Sequence, residues 1–304
     1  MYKPRGKIYF EILLRLDDLR KSFSALEEKL DDLRKSFSAL EEKSNYQYHK
    51  LLQLSFEQAQ GLKPILHLLR SKPFKAKDVK RIGSDFDGGY YLPNIDYKDK
   101  VLISVGIGTN LDFELQSSSI FGKIICVDPN LSIHFSKVEK FPNVLLLEKA
   151  VGIAPGFVSI QDLISMSSNQ GIVFKCDAEG AELDFLQNID FGEFDLMILE
   201  IHGLLSENLI STPMKIKNLL EKIHDTHEII LLTGNNSSTY GLIENVWVPD
   251  VFEVVAVSKA EYAKFHPEKD EFLYKTLNLH PNDPSQSNPD LIFETNWDLN
   301  ANRY

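Results

Sequence analysis

Short runs of aliphatic and β-branched residues recur along the chain, and most of them break off at Gly, Asp, Asn or Glu. They occupy 101–105, 123–127, 143–147, 172–176, 195–199, 228–232 and 252–257. Between them lie stretches with helical spacing, clearest at 212–224. Continuous apolar strands that alternate with helices imply a mostly parallel sheet covered on both faces. The last two runs, with Tyr240-Gly241 between them, predict an antiparallel hairpin at the C-terminal edge. The expected fold is α/β and Rossmann-like, with a seven-stranded sheet.

The N-terminal pattern is different. Asp17–Lys29 recurs without a change as Asp31–Lys43. The repeat places Leu16, Leu19, Phe23, Leu26, Leu30, Leu33, Phe37 and Leu40 on alternating three- and four-residue steps. That is an a/d seam and predicts a coiled coil. At roughly 1.5 Å per residue, 9–43 would form a rod of about 50 Å. The e positions alternate Arg20, Glu27, Arg34 and Glu41, so strand number and direction stay open. A homo-oligomer through this helix is expected, and a perfect internal copy points to a spacer or assembly device. The division expected is 1–44 coiled coil, 45–95 helical bridge and lead-in turn, 96–262 main domain, and 263–304 tail or lid.

Composition narrows the partners. The formal net charge is −11, with no concentrated basic stripe, so a nucleic-acid partner is not expected. No apolar run is long enough to span a bilayer. The N-terminus does not read as a signal peptide. Cys126 and Cys176 both fall inside apolar strand patterns and read as reduced core thiols, which places the protein in the cytoplasm.

The chemistry concentrates at the strand ends. In open α/β sheets, ligands sit in the crevice beyond the carboxyl ends of the strands. The run Val173 to Cys176 ends in Asp177-Ala178-Glu179-Gly180-Ala181-Glu182. Acidic residues also suit a helix N-terminus, and that explanation fits Glu182 and Asp184. Gly106-Ile107-Gly108 follows the first strand, and Asp128 ends the second, about twenty residues on. This spacing suits a nucleoside ligand whose ribose hydroxyls both meet Asp128. The third glycine of the dinucleotide fingerprint is replaced by Thr109-Asn110, which favours a ligand without a pyrophosphate, such as S-adenosylmethionine, over NAD.

From Val79 onward these residues resemble the FkbM-type family of S-adenosylmethionine-dependent methyltransferases, within the Rossmann-like class I methyltransferase fold. Lys175 to Glu182 is similar to the family's most distinctive stretch, and Ser104 to Asn110 stands where its cofactor loop belongs. Leu199-Glu200-Ile201-His202 matches the next acidic strand end, and Gly234-Asn235-Asn236 precedes the closing hairpin. Arg81 to Tyr90, with Asp87, resembles an upstream element of some relatives and also reads as a plain Asp-Gly turn. The sequence departs from the family where Ser104 and Ile107 replace an acid and an alanine. The histidine before the paired asparagines is missing as well.

The resemblance implies that Gly106, Gly108, Asn110, Asp128 and Ala150 contact S-adenosylmethionine. It implies Asp177, Glu179, Glu200 and His202 as catalytic groups, with His202 or Asp177 as the base. Asp87, Asn235 and Asn236 are expected on the acceptor, a sugar, glycan or similar polyhydroxylated molecule. A divalent cation is possible but not favoured; Asp177, Glu200 and His202 would be its ligands. Two alternatives stay open: a nucleotide-sugar or NAD-type Rossmann enzyme, and a non-catalytic coiled-coil assembly protein.

Overall fold

The structure, a computed structural model, describes residues 62–168, 170–205, 211–235, 238–243 and 246–269, together with Lys29, Leu30, Lys35, Glu271 and Leu273. The chain divides into two compact units, 1–53 and 54–304. In the first, Lys29, Leu30 and Lys35 are helical and exposed. The coiled coil expected over 1–44 and the tail over 274–304 otherwise lie outside the described residues.

Among the described residues, the second unit has eleven strands. β1 (Val79–Gly83) and β2 (Gly89–Pro93) pair as an antiparallel hairpin, where the sequence suggested a bridge and a turn. β3 (Lys100–Val105), β4 (Lys123–Asp128), β5 (Val144–Glu148), β6 (Gly171–Cys176) and β7 (Leu196–Ile201) follow. β8 (His227–Gly234), a two-stranded ribbon of β9 (Tyr240–Ile243) with β10 (Val246–Pro249), and β11 (Phe252–Ser258) complete the chain order. The main sheet has seven strands in the order β5-β4-β3-β6-β7-β11-β8. All pairs up to β7 are parallel, while β11 is antiparallel to both β7 and β8. This is the α/β, Rossmann-like architecture expected, with the antiparallel element at the C-terminal edge.

Period-two alternation splits each inner strand between two cores. Val101, Ile103, Val105, Phe174, Cys176, Leu199 and Ile201 face one layer. The helix Ser211–Thr226 covers that face with Ile216, Leu219, Leu220 and Ile223, all fully buried, and a turn of helix at 62–66 adds Leu62, Ile65 and Leu66. Each such burial is worth roughly 1.5–3 kcal/mol. Leu102, Ile124, Cys126, Val173 and Ile198 face the other layer, covered by the β1–β2 hairpin and by Phe113 of the helix Asp112–Ser117. Ser104 and Lys175 are cross-strand partners in the register of β3 and β6, and both side chains are buried. Among the described residues, no helix is long and apolar enough to cross a membrane.

Candidate active site

The strand order reverses at β3, with β4 on one side and β6 on the other, so the loops after these strands open a crevice. A cavity of about 590 Å³ lies there, within the range typical of small-molecule sites. Its walls include Gly106, Gly108, Asn110, Asp128, Ala150, Asp177, Glu179 and Asp87. Eight of the expected site residues are therefore brought to one space.

The glycine loop needs its glycines. Gly106 has φ +75° and Gly108 φ +55°. A Cβ on Gly106 would stand 1.5 Å from the Asp177 carbonyl oxygen, so only glycine lets β3 end against the start of the acidic turn. Asp128 braces this loop: its Oδ2 accepts the Ile107 N–H at 3.0 Å and the Gly108 N–H at 3.1 Å. Its Oδ1 accepts from Asn130 N–H at 2.7 Å. A carboxylate offers about four acceptor positions, so Asp128 retains room for one further donor. Buried His134, which the sequence did not single out, holds the loop from outside by donating Nε2–H to the Gly108 carbonyl at 2.9 Å.

Asn110 is occupied as well. Its Oδ1 accepts from the Asp112 N–H at 3.0 Å and its Nδ2 donates to the Asp87 carbonyl at 3.1 Å. It thereby ties the cofactor loop to the β1–β2 turn. Asp87 contributes its backbone to that contact while its side chain stays exposed at the cavity wall.

The acidic turn carries the second half of the site. Glu179 sits at φ +53°, followed by Gly180 at +95°. A non-glycine residue in the left-handed region costs roughly 1–2 kcal/mol, and the turn directs Glu179 toward His202 at 3.5 Å from its Nε2. Glu182 was assigned to the helix dipole; the structure corrects this. Its side chain is fully buried, and Oε1 accepts both the His202 backbone N–H at 3.0 Å and Nδ1–H at 3.1 Å. Its Oε2 accepts the Gly180 N–H at 2.7 Å. Asp184 is different: it lies outside this network and pairs with Lys215 at 2.6 Å.

His202 Nε2 also lies 4.0 Å from Glu200 Oε1. Burial opposes its charge, but the Glu182 hydrogen bond and the carboxylates of Glu182, Glu200 and Asp177 outweigh it and push the imidazole pKa up to about 9. That shift favours the charged imidazole. Glu200, pressed by burial and by the charges of Asp177 and Glu253, is raised well above the usual carboxylate range. Asn235 Nδ2 donates to its Oε1 at 2.8 Å, so this asparagine is committed to Glu200. Asn236 lies outside the described residues.

Asp177 links the two halves. Its Oδ2 lies 3.5 Å from the Tyr90 hydroxyl, and Oδ1 is buried without a hydrogen-bond partner. Asp177, Glu179 and His202 bring ligand atoms within 4.8 Å of one another. That trio differs from the expected cation set by exchanging Glu200 for Glu179.

No family model matches the chain, and no curated protein matches it. Among solved structures, a dimethyladenosine transferase from Plasmodium falciparum is similar over 56% of this chain and 60% of its own, at 16% identity and TM-score 0.34. The 23S rRNA methyltransferase ErmE is similar over 54% and 63%, at 9% identity and TM-score 0.31. A chain of the fibrillarin/Nop5p complex is similar over 62% and 98%, at 12% identity and TM-score 0.33. The chain thus spans less than two thirds of the first two.

Proposed function

We propose that this protein is an S-adenosylmethionine-dependent O-methyltransferase whose acceptor is a hydroxyl of a sugar, glycan or similar polyhydroxylated molecule. The observation that carries the reading is the continuity of the cavity. It runs from the glycine loop and Asp128 to the acidic turn at Asp177 and Glu179.

The residues fit the cofactor. Gly106 and Gly108 present bare backbone, Asp128 has one acceptor position left for a ribose hydroxyl, and Ala150, Val151 and Phe157 supply an apolar wall for a base. Bound there, S-adenosylmethionine supplies an electrophilic methyl group. The chain's own task is then to hold the acceptor oxygen in line and take its proton. Asp177 is the base in this reading, because it lies at the cavity wall directly against the glycine loop. The cationic His202 balances Glu179 and Glu182 beside it, and it can donate to a second oxygen of the acceptor. The density of carboxylate, amide and imidazole groups suits a ligand with several hydroxyls.

Thermal shift with S-adenosylhomocysteine, NAD and a nucleotide sugar tests the reading. Ligand at one hundred times its Kd stabilises by about 2.7 kcal/mol. Stabilisation by S-adenosylhomocysteine alone is expected, and Asp128→Ala should remove it. Stabilisation by NAD or the nucleotide sugar alone would overturn the proposal in favour of another Rossmann-type chemistry.

A further inference from the structure

Two buried charged side chains of the cavity wall take no part in the chemistry so far. Glu114, on the helix Asp112–Ser117, is 2% exposed, and Lys175, on β6, is 4% exposed. Glu114 Oε1 accepts the Ser104 hydroxyl at 2.6 Å, and no described residue donates to Oε2. Lys175 Nζ donates to the Gly106 carbonyl at 2.6 Å and stands 5.2 Å from the centre of the Tyr90 ring. An ammonium has three donors, so two remain. Among the described residues, neither group has an opposite charge within 4.0 Å, and they do not pair with each other.

Buried charges are costly unless paired. A carboxylate and an ammonium that share a cavity wall without closing on each other are arranged for a ligand carrying both charges. We propose that Glu114 and Lys175 clamp the amino-acid end of S-adenosylmethionine, Glu114 receiving its α-ammonium and Lys175 its α-carboxylate. This rests on the methyltransferase reading and assigns to it two residues that read the ligand's zwitterionic end. Ser104 then has a purpose. Its hydroxyl fixes the carboxylate delivered from the following helix. The Gly106 carbonyl fixes Lys175 in the same way.

Titration calorimetry with three ligands tests the clamp. S-adenosylhomocysteine carries both charges, S-adenosyl-3-thiopropylamine lacks the carboxylate, and 5′-methylthioadenosine lacks both. A charged hydrogen bond corresponds to about tenfold or more in affinity. Wild type should therefore prefer S-adenosylhomocysteine over either truncated ligand by about tenfold or more. Lys175→Met should bind S-adenosylhomocysteine and the amine equally, and Glu114→Gln should weaken both. Both variants should keep wild-type affinity for 5′-methylthioadenosine, which also certifies their fold. If wild type binds all three ligands alike, or if both variants keep wild-type affinity for S-adenosylhomocysteine, the clamp is overturned while the cofactor reading stands. If wild type binds none of the three, the cofactor reading falls and the clamp with it.

Discussion

Glu182→Gln isolates the interaction that decides the charge state of the acceptor side. His202 is held at about 9 against an ordinary value of 6.5. Burial pulls it down, and the Glu182 hydrogen bond and charge are the largest influences pushing it up, ahead of Glu200 and Asp177. A hydrogen bond to a charged group is worth roughly 1.5–3 kcal/mol, and one pKa unit is about 1.4 kcal/mol. Neutralising Glu182 should therefore lower the His202 midpoint by about one to two units, to about 7–8. Glutamine keeps the shape and can still accept from His202 Nδ1–H, but its amide would meet the Gly180 N–H donor to donor. The readout is a proton–carbon titration of histidines labelled at Cε1, with His202→Gln identifying the resonance among the eight. Stability follows the same linkage. The folded-state pKa is raised, so the stabilisation is complete below about 6.5 and is lost as pH rises through about 9, amounting to about 3 kcal/mol at most. Glu182→Gln should flatten that slope. A wild-type His202 that titrates near 6.5, or an unchanged midpoint in the variant, refutes the reasoning.

Three further outcomes follow from the geometry. Gly106→Ala must absorb both a left-handed φ and a Cβ placed 1.5 Å from the Asp177 carbonyl oxygen; denaturant unfolding should show a loss above about 2 kcal/mol, and a loss under about 0.5 kcal/mol would contradict the packing. Asp177→Asn should lower kcat by about 10²–10⁴-fold while S-adenosylhomocysteine binding by calorimetry stays near wild type; full turnover in this variant would remove Asp177 as the base. Protein stripped with EDTA should transfer methyl groups at the untreated rate, measured with labelled S-adenosylmethionine; an activity that falls and returns with Mg²⁺ would show that the acidic trio needs a metal.

All seven strands of the main sheet could be read from the sequence, because each is an apolar run cut by a polar residue or glycine near its end, even β5, which is only partly buried. Asp128, Gly106 and Asp177 were legible for the same reason: strand ends place residues predictably. The roles of Glu182 and Glu114 were not. Both lie one or two turns beyond a strand end, where an acid is equally compatible with solvent and with the helix dipole. Only the fold shows that Glu182 turns inward to His202 and Glu114 to Ser104. The charge of His202 was illegible because it depends on three carboxylates from separate segments.

The two halves of the site are mechanically one. Asp177 and Glu179 belong both to the cavity wall and to the cluster around His202. The Asp177 N–H bonds the Val105 carbonyl at 3.0 Å, and the Gly106 N–H bonds the Val127 carbonyl at 3.0 Å. The residue that begins the cofactor loop therefore lies against the residue that begins the acidic turn, with no room between them for a methyl group. Interiors packed this closely transmit displacement rather than absorb it. A substitution that moves the glycine loop must then move Asp177 and, through the strained Glu179, the partner of His202. Cofactor-loop variants should accordingly lose alignment of the acceptor oxygen along with cofactor affinity. Variants on the acceptor side, such as Asp177→Asn, leave the loop's own braces at Asp128 and His134 intact.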